Sequence, residues 1–198
     1  YGKAELAENL AALETLGYVR RSDGAPAAGA EGGGSSPEIH NNLARVHVRA
    51  GKLDEAAAEF ERALALNPHD ADALLGLSGI ASLSGDRGRA EHLTRIALAS
   101  NPDFPPALAQ LAELRRDAGD LPEAIRLFRE ALALDDVSPQ LYLGLGDCLQ
   151  RAGQYPEAEK AFRRVLELQP DSFEAHYNLG VTALQQRRYD AAIAEYEK

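Results

Sequence analysis

Apolar residues recur along this chain with two nested periods. Within the segment Gly51–Pro68, "GKLDEAAAEFERALALNP", they fall three and four residues apart, as on one face of a helix. The same pattern returns in "GDLPEAIRLFREALALDD" from Gly119 and "GQYPEAEKAFRRVLELQP" from Gly153, at offsets of 68 and 34 residues. A weaker copy, "GDRGRAEHLTRIALASNP" from Gly85, fills the gap. The period is therefore 34 residues. Counting from Pro37 gives units 37–70, 71–104, 105–138 and 139–172, with 173–198 as a partial fifth.

Each unit reads as two helices, at positions 2–14 and about 18–31. Gly51, Gly85, Gly119 and Gly153 stand at position 15, where a helix end needs a left-handed residue. Asp54, Pro122, Pro156 and Asp190 at position 18 suit a cap or a first turn. Pro68, Pro102 and Pro170 at position 32 stop the second helix. Short connections make the two helices antiparallel neighbours. Leu43, Leu77, Leu111, Leu145 and Leu179 share position 7, and small residues (Ala44, Ser78, Ala112, Gly146, Gly180) follow at position 8. Ala56, Ala90, Ala124, Ala158 and Ala192 share position 20, and Phe60, Phe128, Phe162 and Tyr196 share position 24. Small residues facing small residues let two helices approach closely, with the aromatic filling the seam. One such pair cannot bury its apolar face alone; stacked pairs can. The fold class is all-α.

This set of small, Ala, aromatic and Pro positions at a 34-residue period closely resembles the tetratricopeptide repeat (TPR) over residues 37–198. The resemblance implies a right-handed superhelical solenoid of helix-turn-helix units. It departs at positions 4 and 11, where the family's aromatics are replaced by residues such as His40, Leu74, His47 and Ala81. Unit 2 departs further: Thr94 replaces the seam aromatic, with Arg87, Gly88 and Ser100 nearby, which should weaken its seams.

In TPR proteins the first helices line a concave groove for peptides or helices, so the resemblance implies a protein-binding module. Positions 2, 5, 9 and 12 form the helical stripe opposite the packing face. On that stripe the candidate groove residues are Asn41, Arg45, Leu75, Ala109, Glu113, Arg116, Leu143, Asp147, Tyr177 and Val181. Apolar anchors among charges of both signs suit a peptide segment of a partner protein. A chaperone-type carboxylate clamp would need Lys and Asn where Asn41 and Arg45 stand, and an asparagine ladder finds only Asn42 and Asn178.

Residues 1–36 break the period. Leu6, Leu10, Leu13 and Leu16 predict an amphipathic helix over 4–16, closed by Gly17, before a Gly/Ala-rich flexible linker over 20–36. "LETLGYV" (residues 13–19) resembles the closing segment of bacterial sulfatase-superfamily, alkaline-phosphatase-like hydrolases, some of which continue into TPR arms. That resemblance implies a second reading, the TPR arm of a hydrolase whose catalytic domain lies upstream. An ordinary capping helix on unit 1 is the alternative for the same residues. The family's nucleophile motif is absent, since Cys148 is followed by "LQRA".

Composition narrows the rest. The net charge of −10 does not favour nucleic acid or an anionic membrane. No apolar run approaches the ~18 residues of a membrane helix. One Cys forms no internal disulfide. Arg outnumbers Lys 17 to 4, a GC-rich bacterial signature, which leaves the cytoplasm or the periplasm. No cofactor, catalytic set or metal site is expected. His40 and His47 share a face but occupy packing positions, and "GAEGGGSS" lacks the Lys of a phosphate loop. Because the chain opens on Tyr1 and unit 5 is partial, we expect a longer natural chain, and self-association through the uncovered last repeat.

Overall fold

A computed structural model describes residues 36–198; the readings of 4–16, 13–19 and most of the linker lie outside the described residues. Ten α-helices fill the described residues, in consecutive antiparallel pairs, with no strand among them. The chain divides into two compact units. In the first, up to Pro102, are α1 (Pro37–Arg49), α2 (Leu53–Leu66), α3 (Ala71–Leu83) and α4 (Arg87–Ser100). In the second, Asp103–Lys198, are α5 (Pro105–Asp117), α6 (Leu121–Leu134), α7 (Pro139–Arg151), α8 (Tyr155–Leu168), α9 (Phe173–Gln185) and α10 (Tyr189–Tyr196).

The helices start one position earlier than the periodicity suggests. Pro37, Pro105 and Pro139 open their helices, where a missing N–H costs nothing and the fixed φ helps. The position-18 residues consequently sit in the first turn, and the cap lies two residues earlier. There Asp86 and Asp120 accept hydrogen bonds from the backbone of Arg89 (3.0 Å) and Glu123 (3.3 Å). Gly51, Gly85, Gly119 and Gly153 all take positive φ, 73° to 84°. Their role is to let the next amide close the first helix, as Asp86 N does on Ala81 O and Asp120 N on Arg115 O, both at 2.9 Å. In the last pair Arg187 takes this position, at φ 59°.

In the first unit α1 packs on α2, α3 on α4, and α2 on α3. In the second, α5–α6, α7–α8 and α9–α10 form the pairs, joined through α6–α7 and α8–α9. The seams follow from side-chain size. All five position-20 alanines are buried, as are Phe60, Phe128 and Phe162. Each ring lies where its neighbour has no side chain: Phe60 against Gly76, Phe128 against Gly144, Phe162 against Gly146.

Two packing expectations need correction. Leu43 shares position 7 with the other packing leucines, yet it is 42% exposed while Leu77 is 2% exposed. The difference is that the α1–α2 pair precedes α3, and no described helix precedes α1. At Thr94 the seam is polar rather than empty. The Ser78 and Thr94 hydroxyls are 2.6 Å apart, each is 2.9 Å from Ala90 O, and both residues are fully buried.

Candidate functional site

The stripe on the first helices of the first unit is largely self-satisfied. Arg45 donates through Nη2 to Asp72 Oδ1 at 2.8 Å and through Nη1 to Asn42 Oδ1 at 3.2 Å, both exposed. Asn41 is not the open groove residue that its position suggests. It is buried, and its amide donates to Asp70 Oδ1 at 3.1 Å. Asp70 in turn caps α3 by accepting from Ala73 N at 2.9 Å. Asn41 thus holds the start of α3 in place, because Asp70 lies within its reach only when the two pairs are stacked. Leu75 is half-buried, and beyond Gly79 the surface is open, with no atom near the place a methyl group there would occupy.

The second unit offers more. Its first helices α5, α7 and α9 are adjacent, α5 to α7 and α7 to α9. Ala109 and Leu143 are half-buried, as is Val181, while Glu113 and Tyr177 are exposed. Arg116 bridges two helices: its Nε donates to Asp117 Oδ1 at 3.0 Å, and its Nη1 lies 3.5 Å from Asp147 Oδ2. Asp147 also accepts from Arg151 Nε at 3.0 Å. Although the Glu113 side chain keeps an open edge to solvent, the protein packed around its carboxyl removes part of its water and pushes it above its ordinary pKa, against the pull of Arg116 beside it.

At the α9 end, aromatic side chains gather. Phe173 stacks on Tyr177 with centroids 6.1 Å apart, and Tyr177 meets Tyr196 at 6.0 Å. They border a depression of about 350 Å³ that Pro170, His176 and Glu195 also line. His176 donates through Nδ1 to Glu195 Oε2 at 2.8 Å.

Repeats of this kind have a known family. A sequence profile described as "Tetratricopeptide repeat" matches residues 83–139, 109–156 and 143–198, and a second of that description matches 37–70. The chain belongs to the tetratricopeptide repeat family. Residues 13–19, which carry the likeness to sulfatase-superfamily hydrolases, fall outside these matches. Solved structures resemble it in fold. The pilF protein of Pseudomonas aeruginosa aligns over 81% of this chain and 73% of its own, with 20% identity and a TM-score of 0.75. TTC0263, "a thermophilic TPR protein" of Thermus thermophilus, aligns over 82% and 89%, with 25% identity and a TM-score of 0.68. YrrB, "a TPR protein with an unusual peptide-binding site", aligns over 79% and 80%, with 22% identity and a TM-score of 0.62. No curated protein matches the chain.

Sequence reasoning missed one paired feature of this TPR array. His40 donates through Nδ1 to Glu59 Oε2 at 2.7 Å, the same contact as His176 with Glu195. Both pairs join position 4 of a first helix to position 23 of its partner. The signal was available as a His and a Glu 19 residues apart, twice, in units separated by whole periods. This accounts for His40 by an interhelical contact. Cys148 is fully buried, and burial pushes its thiol up to about 11, which removes the thiolate a nucleophile needs. Among the described residues no group of three or more His, Cys, Asp or Glu is arranged to hold a metal ion, and no helix is long and apolar enough to cross a membrane.

Proposed function

We propose that this TPR chain binds a peptide or helical segment of a partner protein on the first helices of its repeats. The observation that carries the reading is the surface of α5, α7 and α9. It combines apolar footing from Leu143, Val181 and Tyr177 with a partly shielded Glu113 and the Arg116–Asp147 pair. Such a surface supplies side-chain pockets and charge registration without chemistry. Family membership supports it, and YrrB, a structural neighbour, is described as having a peptide-binding site. The chain itself acts as a scaffold and not as an enzyme in this reading. Self-association through α10 belongs to the same reading, because Tyr189, Ile193 and Tyr196 are exposed there. A single monomer species in sedimentation at high concentration overturns that part.

The test is selection of peptides from a displayed random library on the full chain. The selected peptides are then measured on the variant Leu143→Ser/Tyr177→Ser. Affinity should fall at least about tenfold, equal to about 1.4 kcal/mol, while the far-ultraviolet dichroism and melting point stay close to those of the parent. Peptides that bind both chains equally, or a variant that has lost its helices, would remove the surface from consideration.

A further inference from the structure

The outer face of α1 differs from the matching faces of the first helices that follow a packed pair. On α3 repeat positions 3 and 7 are Ala73 and Leu77, on α7 Leu141 and Leu145, on α9 Ala175 and Leu179, and all six are buried. Position 10 is buried too on α7 and α9, at Cys148 and Thr182. Each of these helices packs on the second helix of the preceding pair: α3 on α2, α7 on α6, α9 on α8. On α1 the same positions hold Ile39, Leu43 and Val46, which are 54%, 42% and 59% exposed. Spacings of four and three put them in one stripe along the helix. The repeat therefore prepares a helix-receiving face on α1, and no described helix takes it.

We propose that residues 4–16 of this same chain cover that stripe and cap the first pair. Two observations favour this occupant and a third is compatible with it. Leu6, Leu10 and Leu13 repeat the four-and-three spacing of Ile39, Leu43 and Val46, so one apolar ridge meets another of equal length. The charges do not oppose it: residues 4–16 carry Glu5, Glu8 and Glu14 and no basic side chain, and Arg49, three residues beyond Val46, is the arginine of α1 nearer the stripe, while Arg45 and Glu38 lie toward the groove side, where Asp72 holds Arg45. The tether is long enough. Twenty residues lie between Leu16 and Pro37, and a chain of that length would reach about 25 Å even without regular structure, against about 20 Å for the length of α1. The cap is independent of any ligand on the first helices, and its failure leaves the peptide-binding reading untouched.

Paired cysteines in the full chain test it, with the buried Cys148 replaced by Ala. Leu10→Cys is combined in turn with Ile39→Cys, Leu43→Cys and Val46→Cys under mild oxidation. At least one pair should form an intramolecular disulfide whose yield does not change on dilution. Amide exchange supplies a measurement that needs no cross-link. Leu10→Asp/Leu13→Asp in the full chain should speed exchange of the α1 amides at least about tenfold and leave α7 and α8 unchanged. Disulfides that form only between chains would give the stripe to a second copy. No disulfide together with unchanged α1 exchange would give it to a separate partner or to none. Either result overturns the proposal.

Discussion

The Phe60 ring lies directly over Gly76, in the space that any side chain at that position would fill. Gly79, one turn further along α3, faces open space. Two glycines on one helix thus have opposite reasons to be there. Gly76 is a packing residue, while Gly79 only weakens its helix.

Alanine at the two positions should act in opposite directions. Gly79→Ala gains up to about 1 kcal/mol of helix propensity with nothing to displace. Gly76→Ala gains the same propensity but forces Phe60 off its site, an overpacking cost of about 1–3 kcal/mol, so the net effect is destabilising. Gly144→Ala, under Phe128, should behave like Gly76→Ala. Urea unfolding of the three variants decides this. Equal effects at Gly76 and Gly79 would mean the ring moves freely aside.

Arg187 sits at φ 59° where the four preceding pairs place glycine. A side chain there costs on the order of 1 kcal/mol or more, so Arg187→Gly should stabilise the α9–α10 pair by about that amount. Amide exchange within α9 would slow about fivefold or more. If exchange instead quickens, the Arg187 side chain makes a contact worth more than the strain.

The repeat was legible because its determinants are local or recur: the turn glycine, the alanine at position 20, the aromatic at position 24. What was not legible depends on which neighbour is present. Leu43 carries the same letter as Leu77 but lacks a preceding pair among the described residues, so the same residue is exposed. Asn41 falls on the groove stripe by helical geometry, yet Asp70 of the next pair draws it inward. Of the groove, the helices and the stripe could be read, but the pairing of Arg116 with Asp147 could not, since spacing does not show which charges meet across two helices.

Two carboxyl groups in the second unit should give opposite pH signatures. Burial alone would push Glu195 up, but hydrogen bonds from His176 and Lys198 outweigh it and hold the carboxyl below its ordinary value. A depressed carboxyl stabilises above its unfolded pKa of about 4.3 and loses that contribution as pH falls through the folded pKa. Glu113 is raised, chiefly by burial, so its contribution is complete below the unfolded pKa and lost as pH rises through the folded one. Glu113→Gln should therefore raise the melting point at pH 7 and leave it unchanged near pH 3. Glu195→Gln should lower it at pH 7 and converge with the parent in acid. Curves that stay parallel from pH 3 to 7 would contradict both assignments.

Cys148 should react only when its helix opens. Its side chain is fully buried on α7 and its thiol titrates near 11, so the folded chain carries almost no accessible thiolate at pH 8. Labelling by a thiol reagent should then follow unfolding of the second unit and accelerate with added urea. Rapid stoichiometric labelling in native buffer would show that α7 opens far more readily than its packing implies.

The Ser78–Thr94 seam has three short oxygen contacts and only two hydroxyl protons to serve them. Thr94 can donate to Ala90 O while Ser78 donates to Thr94, or Ser78 can take Ala90 O while Thr94 donates to Ser78. Either arrangement leaves one close pair of oxygens without a proton between them. Removing one hydroxyl frees the other to bond Ala90 O alone, so Thr94→Val and Ser78→Ala should each cost about 1 kcal/mol, one net hydrogen bond. Removing both leaves no buried hydroxyl to satisfy, and Ala90 O keeps the environment of a helical carbonyl. The double variant loses both hydrogen bonds and should cost about 2 kcal/mol, near the sum of the two single costs in a double-mutant cycle. Costs near zero for all three variants would mean that this seam is held by shape and not by its hydroxyls.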